Sequence, residues 1–346
     1  MKLLLFNLSV NSKNAALSFT IGWIYELSKK FDYIEVLTID KGEFSLPNNV
    51  IINSVNNLGT NKFSRTVCLY LKFFSSLKRV KPDYCFSHMN TLFVSMTGFF
   101  LKILGIKTSL WYAHPSVNIK LKIAGFFSDT IITSLKSSYP IKHLNCHVIG
   151  QAIDTNLFSN KPVNKSQDLP IIFVGRVSRS KRIDLLIENF KRLGNIQNQL
   201  HIYGPEITND DKSYKLELLE IIEKLNLKGK VLFKGSVDRK SLPKIYSNSI
   251  MHINLTQKGF GDKVALESMS CSIPTIYANS DFNEFIPTEI SKHLYFENDL
   301  SEKIKALLAL GESKRNEIGI KLHEIIEKNH SLSTLGDRLF NAITSK

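Results

Sequence analysis

The chain has 346 residues, of which 43% are apolar and 22% charged, and it carries a formal charge of +14 at pH 7. This length and composition predict two domains with cores of their own and exclude a wholly disordered chain. The charge is uneven, because residues 1–155 hold 17 Lys/Arg against 8 Asp/Glu. Such an excess favours an anionic partner: nucleic acid, an acidic membrane surface or a phosphorylated substrate.

Cysteine spacing and apolar runs indicate where the protein works. Cys68, Cys85, Cys146 and Cys271 form no Cys-x-x-Cys pair, so neither a zinc site nor a disulfide framework is indicated. The N-terminal apolar run is too short for a signal peptide, and Leu92–Ile106 falls short of the roughly 20 residues of a spanning helix. We therefore expect a cytoplasmic protein without a membrane-crossing segment.

Strand and helix patterns alternate through the first half of the chain. Leu3–Phe6 and Ile34–Thr38 have the pattern of buried strands, with a helix over Ala16–Lys30 between them. Further strands are predicted at Tyr84–Ser87, Thr108–Tyr112, Thr130–Thr133 and His147–Ile149. This alternation predicts a doubly wound domain with five or six parallel strands.

A helix predicted over Phe63–Arg79 has two unlike faces. Apolar residues at helical spacing are Phe63, Val67, Tyr70, Phe74 and Leu77, and the basic residues opposite them are Arg65, Lys72 and Arg79. We expect the apolar face to pack on the sheet. Two interpretations of the basic face stay open: a solvated surface, or a surface that contacts acidic headgroups.

Two histidines follow predicted strands, at the sheet edge where ligands bind in open α/β folds. They are His88 and His114. A neutral imidazole at His114 can hydrogen-bond a sugar hydroxyl, while a structural role in the turn is the alternative.

A polar, aperiodic stretch over Asp154–Asp168 is predicted to be a linker, and a second series of strands and helices follows it. Its predicted strands are Ile171–Val174, Leu200–Tyr203, Val231–Phe233, His252–Leu255 and Thr275–Tyr277. Its predicted helices are Lys181–Leu193, Lys212–Leu225, Ser241–Asn248, Ser301–Leu310, Glu312–Lys328 and Leu335–Ile343. A second parallel sheet is therefore expected.

The stretch Lys258–Thr275 has the character of an anion site. Its glycine-rich turn, Gly259-Phe260-Gly261, precedes a helical pattern, so backbone N–H groups and a helix N-terminus can face a phosphate. Glu267 lies further along, where a carboxylate can accept bonds from both ribose hydroxyls. An ordinary strand-to-helix turn with a surface glutamate is the alternative.

Two cations in the same half strengthen the nucleotide interpretation. Arg176 lies just past one predicted strand and Lys181 just before a predicted helix. Cations and helix N-termini that face one ligand add their effects, so together they predict a diphosphate site. Either cation alone would be a solvated surface residue.

Four segments of the second half carry a common pattern. They are FVGRVSRSKRIDLLIENF (Phe173–Phe190), IYGPE (Ile202–Glu206), VLFKGSVDRKSLPKIY (Val231–Tyr246) and GFGDKVALESMSCSIPTI (Gly259–Ile276). In order and spacing they resemble the C-terminal half of family 4 glycosyltransferases of the group 1 type. WYAH (Trp111–His114) and HVIGQAIDTNLF (His147–Phe158) resemble the N-terminal half more weakly.

The resemblance implies an α/β fold of the GT-B type, in which two Rossmann-like parallel-sheet domains face each other across a cleft. The acceptor domain would span residues 1–158 and the donor domain residues 159–329. Residues 330–346 would form a helix that crosses back to the first domain. The donor would be a nucleotide-diphospho-sugar bound mainly by the second domain.

The resemblance also implies roles for individual residues. Arg176 and Lys181 match the pair that neutralises the diphosphate, and His114 matches the histidine near the donor sugar. Glu267 matches the second Glu of a Glu-x7-Glu motif. The first Glu is replaced by Gly259, and Asp262 and Lys263 would substitute for it. The full implied donor set is Gly175, Arg176, Lys181, Gly204, Gly259, Phe260, Gly261, Asp262, Lys263 and Glu267.

The family's chemistry would be a retaining transfer in which the leaving phosphate helps to deprotonate the acceptor, so the protein mainly positions groups and stabilises charge. The sequence contains no Asp-x-Asp pair for a metal, and no metal or other cofactor is expected.

We expect a hexosyltransferase that acts at the inner membrane face on a glycan or lipid-linked acceptor, in bacterial cell-surface polysaccharide or lipopolysaccharide synthesis. The alternative is a catalytically silent nucleotide-sugar-binding subunit, which the substitution at Gly259 suggests. Nucleic-acid binding has only the charge in its favour, and no nucleic-acid motif accompanies it.

Overall fold

The computed structural model describes residues 1–14, 17–56, 61–159 and 168–345. The chain divides into two compact units, Met1–Ala152 with Leu332–Lys346, and Ile153–Ser331. The expected boundaries were 158/159 and 329/330. The observed first boundary is earlier because Phe158 is fully buried, and its carbonyl accepts a hydrogen bond from Ser270 Oγ at 2.7 Å. The start of the predicted linker is thus packed, and its residues 160–167 lie outside the described residues.

The first unit contains a seven-stranded sheet of parallel pairs with the order β3-β2-β1-β4-β5-β6-β7. Its strands are β1 Lys2–Val10, β2 Tyr33–Lys41, β3 Val50–Ser54, β4 Tyr84–His88, β5 Lys107–Trp111, β6 Thr130–Thr133 and β7 Cys146–Val148. The helices around it are α1 Thr20–Ser28, α2 Lys62–Val80, α3 Thr91–Ile103 and α4 Ile119–Phe127. The strand order reverses beside β1, which is the usual place for a ligand in such sheets.

Burial explains why the apolar runs of the first half are strands. Leu3, Leu4, Leu5 and Phe6 of β1 are all at most 2% exposed, because helices cover both faces of a parallel sheet. The strands predicted in this half are present, and the sheet gains β3, whose short sequence VIINS has three apolar residues of which the first and third are buried. No helix in the described part of the chain is long and apolar enough to cross a bilayer.

The predicted packing face of α2 is wrong. Phe63 and Phe74 are 80% and 45% exposed, and the buried side of the helix instead carries Leu69 and Phe73. The helix is turned because the side chains of Ser76 and Arg79 both reach Glu35, a fully buried carboxylate on β2. A buried charge needs a partner, and this requirement outweighs the burial of two more aromatic rings.

Arg79→Ala is therefore expected to destabilise the protein by about 1–3 kcal/mol, because it removes the partly exposed cation at 2.5 Å from Glu35 and leaves a buried carboxylate oxygen without this partner. The measurement is the free energy of unfolding from urea denaturation. Lys78→Ala, on the exposed side of the same helix, is the matched control and should stay within about 0.5 kcal/mol of the parent. Equal losses for both variants would contradict the assigned face.

The second unit contains a five-stranded sheet of parallel pairs with the order β10-β9-β8-β11-β12. Its strands are β8 Ile171–Val174, β9 Leu200–Tyr203, β10 Val231–Gly235, β11 Met251–Asn254 and β12 Thr275–Tyr277. Its helices are α5 Ile183–Lys191, α6 Asn209–Lys224, α7 Leu242–Ser247, α8 Lys263–Ser270, α9 Thr288–Leu294, α10 Leu300–Ala309 and α11 Gly311–His330. The strand order reverses between β8 and β11, so the loops that follow these two strands adjoin.

One predicted helix boundary in this unit needs correction. The sequence predicts a helix over Lys181–Leu193, but α5 begins at Ile183 and a short 3₁₀ turn covers Arg179–Lys181. The break lies at Arg182, whose φ of +53° is left-handed and cannot continue an α-helix. Lys181 therefore belongs to the turn that follows β8 and not to the start of a helix.

The last helix, α12 Leu335–Thr344, belongs to the first unit. Its residues Leu335, Leu339 and Ile343 are fully or almost fully buried in the same cluster as Trp23 and Leu27 of α1. The guanidinium of Arg338 donates to the carbonyl of Ile149. The C-terminal segment thus completes the core of the first unit.

Candidate functional site

The turns after β8 and β9 approach each other closely. Gly204 follows β9 with a φ of +148°, and a Cβ on it would lie 1.8 Å from the carbonyl oxygen of Gly175. The amide of Gly175 in turn donates to the carbonyl of Tyr203 at 2.9 Å. Only glycine fits at Gly204, so the backbone of both turns forms a smooth edge beside the reversal of strand order.

Lys181 and Asp262 meet at that reversal. The Lys181 ammonium lies 2.5 Å from Asp262 Oδ2 and 2.9 Å from Thr256 Oγ1. Thr256 and Asn254 also donate to the same carboxylate oxygen, at 2.5 and 3.1 Å. Lys181 comes from the turn after β8, and its partners come from the loop after β11, so the network joins the two strand ends.

The network also fixes the charge of Asp262. Burial raises the pKa of this carboxyl, but the Lys181 ammonium and the donors from Thr256 and Asn254 outweigh burial and lower the pKa overall. An ammonium has three donors, of which two are used here. The lysine is thus held in one orientation, and the contacts among the described residues leave one of its donors for a ligand.

Glu267 lies on α8 and is 4% exposed. Its Oε1 accepts a hydrogen bond from Arg239 Nη2 at 2.9 Å. Burial raises the pKa of Glu267, and the charges of Arg239 and Lys263 oppose that rise. The Arg239 side chain beside this carboxylate is 41% exposed. The buried carboxylate of Glu267 therefore has a hydrogen-bond acceptor close to solvent.

Lys263, the first residue of α8, has its ammonium buried near Glu267 and Arg239. Burial lowers the pKa of Lys263 to about 7, while Glu267 acts in the opposite direction. At neutral pH this ammonium is therefore only partly protonated. A group in that state gains a proton readily when an anion arrives.

Arg176 lies after β8 and is held by the first turn of α6. Its Nε and Nη2 donate to the two carboxylate oxygens of Asp211 at 2.7 and 3.0 Å, and Nη2 also contacts Thr208 Oγ1 at 3.3 Å. Asp211 accepts backbone N–H bonds from Ile207 and Thr208 as well. This two-point contact orients the guanidinium. The bonds that Arg176 makes to described residues use Nε and Nη2, and none of them uses Nη1.

The glycine-rich loop is held by side chains that follow β12. Gly259 has a φ of +92°, and its amide donates to Asp281 Oδ2 at 2.8 Å. The carbonyl of Phe260 accepts a bond from Asn279 Nδ2 at 2.8 Å. The Gly259 amide therefore helps to hold the conformation of the loop. Phe260 is 39% exposed beside it, and Gly261 is half-buried.

His114 lies in the first unit, after β5. Its Nδ1 accepts the backbone N–H of Ser116 at 3.1 Å and lies 2.7 Å from Ser116 Oγ. A backbone amide can only donate, so the neutral ring carries its proton on Nε2. His88 is different: it is 4% exposed, 3.1 Å from Asn7 Oδ1, and packed against Trp23, so it belongs to the core.

The second unit thus gathers part of the predicted set directly. Lys181 contacts Asp262, and Glu267 interacts with Lys263, while Arg176 is engaged by Asp211. The partners that sequence reasoning missed are Asn254, Thr256, Arg239, Asp211, Asn279 and Asp281. A signal existed for Asp211, because Thr208 and Asp211 form a capping box. Arg239 had no such signal.

Among the residues that the structure describes, no group of three or more His, Cys, Asp or Glu side chains is arranged to hold a metal ion.

The fold and part of the sequence match known proteins. The family model described as "Glycosyl transferases group 1" matches residues 154–322, which is nearly half of the chain and most of the second unit. No curated protein sequence matches the chain. Both sheets with their flanking helices match structures of GT-B glycosyltransferases.

Three of the similar structures show how far the likeness extends. The Anabaena protein Alr3699/HepE in complex with UDP is 14% identical, with a TM-score of 0.75, and the match covers 100% of both chains. A glycosyltransferase from Rickettsia africae ESF-5 is 15% identical with a TM-score of 0.75, covering 100% of this chain and 99% of that one. The lipopolysaccharide outer core galactosyltransferase WaaB, in its apo form, is 15% identical with a TM-score of 0.70 and the same coverage.

Proposed function

We propose that the protein is a retaining glycosyltransferase of the family 4 type that moves a hexose from a nucleotide-diphospho-sugar to a glycan or lipid-linked acceptor. The observation that carries the proposal is the pairing of Lys181 with Asp262 at the reversal of strand order, beside the buried carboxylate of Glu267. The match of residues 154–322 to the group 1 glycosyltransferase model supports it. HepE, a structure of the same fold, is described in complex with UDP and with UDP-glucose.

Different residues of the second unit bind different parts of the donor. Glu267 accepts hydrogen bonds from the ribose hydroxyls, and the backbone edge at Gly175 and Gly204 lies along the nucleotide. The spare donors of Lys181 and Arg176 bind the diphosphate, whose negative charge grows as the sugar departs. Oriented cations need no reorganisation at that moment, so they stabilise the leaving group without a metal.

The other candidate residues act on the sugar. Gly259, Phe260, Gly261, Asp262 and Lys263 form the loop and helix start beside it. His114 offers Nε2–H to a sugar hydroxyl, and its pairing with Ser116 selects that tautomer. In this retaining mechanism a phosphate oxygen of the leaving group takes the acceptor proton, so no protein nucleophile is required.

The test is a transfer assay with UDP-, GDP- and ADP-sugars and a panel of glycan and lipid-linked acceptors from bacterial surface polysaccharide synthesis. We expect release of one nucleoside diphosphate that depends on the acceptor, with the anomeric configuration of the donor kept in the product. Inversion would refute the retaining mechanism. Nucleotide-sugar binding without turnover on any acceptor would favour the catalytically silent subunit. The hydrogen bond from the Gly259 amide to Asp281 is compatible with that alternative as well.

Donor binding should take up a proton at alkaline pH. Burial lowers the pKa of Lys263 to about 7, so at about pH 8 the Lys263 side chain is largely uncharged when no donor is bound. An incoming diphosphate raises this pKa, and the side chain then takes up a proton. Affinity should therefore fall as pH rises above 7, by at most about tenfold per pH unit.

Calorimetry in two buffers of different ionisation enthalpy measures this proton uptake. With UDP-glucose or whichever donor binds, the wild type should show a buffer-dependent heat at about pH 8 that Lys263→Met abolishes. Lys212→Met, an exposed lysine on α6, is the control and should keep the buffer dependence. Identical heats in both buffers for the wild type would contradict the role of Lys263.

A further inference from the structure

Three helices of the first unit expose apolar side chains that nothing in the proposed transfer reaction uses. These residues, which we call the α2–α4 face, are Phe63, Leu71 and Phe74 of α2, Phe99, Ile103 and the following Leu104 of α3, and Ile119, Ile123 and Phe126 of α4. Phe63, Ile103 and Phe126 are 80%, 68% and 70% exposed. Single exposed apolar residues are ordinary, but a run of nine on adjacent helices marks an interaction surface.

The three helices form one continuous surface. A groove of about 580 Å³ lies between α2 and α3, lined by Phe74, Leu77, Phe100 and Ile103 among others. The rings of Phe74 and Phe100 meet edge to face across it, with centroids 5.1 Å apart. On the other side of α3, the Lys102 ammonium lies 5.0 Å from the centre of the Phe126 ring.

The charge of this part of the chain is almost entirely of one sign. Residues 62–126 contain ten Lys/Arg and a single acidic residue, Asp83. The Asp83 carboxylate accepts the backbone N–H of Lys2 at 2.7 Å, so it is engaged by β1. Several of the lysines are exposed beside the apolar residues: Lys78, Lys81, Lys102, Lys107, Lys120 and Lys122.

We propose that the α2–α4 face docks the protein on an anionic lipid bilayer. Its aromatic and aliphatic side chains enter the boundary between headgroups and acyl chains, while the flanking lysines bind anionic headgroups. Lys102 and Phe126 show the arrangement in one pair, with a charge held over an exposed ring. The lysine stems are long enough for the ammonium to stay at headgroup level while the apolar stem is buried.

Charge decides against the other occupants of such a face. A second copy of the chain would bring the same positive charge to the interface, and like charges that face each other oppose association. Nucleic acid would satisfy the charge and its bases could stack on the phenylalanine rings, but it would leave the aliphatic residues Leu71, Ile103 and Ile119 exposed to water. An acidic bilayer complements both the charge and the whole apolar surface.

This contact differs from the one considered from sequence, which used Arg65, Lys72 and Arg79. Arg79 pairs with Glu35, and the exposed side of α2 carries the apolar Phe63, Leu71 and Phe74 beside its basic residues. Insertion of side chains therefore accompanies the electrostatic attraction. Binding should weaken in salt without disappearing, because salt screens the charges but not the burial of apolar surface.

The test is co-sedimentation of the purified full chain with phosphatidylcholine vesicles that contain or lack phosphatidylglycerol. The charge variant is Lys102→Gln/Lys120→Gln/Lys122→Gln, and the apolar variant is Ile103→Ser/Phe126→Ser. Each basic residue near an anionic surface contributes about fivefold to partitioning, so the charge variant should bind about a hundredfold more weakly. The apolar variant should bind weakly and lose the salt-resistant part.

A matched control carries Leu216→Ser, an exposed leucine on α6 of the second unit, and should bind as the wild type does. A Phe126→Trp variant gives a direct signal, because its emission should shift to shorter wavelength and be quenched by brominated lipid. All variants should bind the nucleotide donor unchanged, which separates failure of this proposal from failure of the proposed function.

Three results would overturn the proposal. The first is a wild type that fails to sediment with anionic vesicles at low salt, and the second is sedimentation of both variants to the same extent as the Leu216→Ser control. The third is a dimer in sedimentation-velocity runs that dissociates in Ile103→Ser/Phe126→Ser, because it would show that a second copy covers this face.

Discussion

Replacing Glu267 by glutamine is expected to weaken binding of the nucleotide by at least about a hundredfold, because two charge-assisted bonds to the ribose are each worth about 1.5–3 kcal/mol. Glutamine keeps the size of the side chain and removes its charge. Glu267 is 4% exposed and paired with Arg239, so an amide there should leave the fold intact while it offers only one weaker acceptor. Circular dichroism and thermal unfolding check that the fold is kept.

The ribose contact can be isolated by a double-mutant cycle between protein and ligand. The dissociation constants of a nucleoside diphosphate and its 2′-deoxy form are measured for the wild type, for Glu267→Gln and for Glu220→Gln. Glu220 is exposed on α6 and serves as the matched control. The deoxy ligand should bind the wild type and the control more weakly than the parent ligand, while Glu267→Gln should hardly distinguish the two. Equal discrimination in all three proteins would show that Glu267 does not contact the ribose.

Replacing Lys181 by methionine is expected to lower kcat by about a hundredfold to a thousandfold, which is the usual effect of losing one oriented donor to a developing negative charge. The Lys181 ammonium is held by Asp262 and Thr256 at 2.5 and 2.9 Å, so its position is fixed before the donor arrives. Removal of the cation also leaves the Asp262 carboxylate near the diphosphate without its counter-charge, which adds repulsion.

Two further variants distinguish the loss of positive charge at the diphosphate from a general loss of structure. Lys181→Met/Asp262→Asn removes both members of the pair and should recover part of the donor affinity, but not kcat, because the repulsion is gone while the cation is still missing. Lys212→Met on the surface of α6 should leave kcat unchanged. A kcat for Lys181→Met within about threefold of the wild type would remove Lys181 from leaving-group stabilisation.

The strands could be predicted from sequence, and the orientation of α2 could not. A buried parallel strand is a short apolar run, so β1 and β8 are visible without tertiary information. In α2, by contrast, aromatic or aliphatic residues occur on almost every side, and the periodicity predicts a face that the structure exposes. The deciding contact is between Arg79 and Glu35, which are 44 positions apart.

In the candidate site, too, local features could be predicted from sequence and contacts between distant residues could not. The glycines and the cation of the turn after β8 are local patterns, and they were identified as candidates. The partners that orient them are not local, since Lys181 and Asp262 are 81 positions apart and Arg239 and Glu267 are 28 apart. The left-handed residue Arg182, which ends the 3₁₀ turn and delays α5, has no sequence signal because arginine rarely adopts that conformation.

Calorimetric titration of the wild type with UDP-, GDP- and ADP-sugars tests the central claim most directly, which is that the second unit binds a nucleotide-diphospho-sugar. We predict that one nucleotide class binds with one site per chain, and that Glu267→Gln and Lys181→Met both lose this binding while Lys212→Met retains it. A folded wild type that binds none of these nucleotides, or binds one equally well in all three variants, would contradict the assigned site.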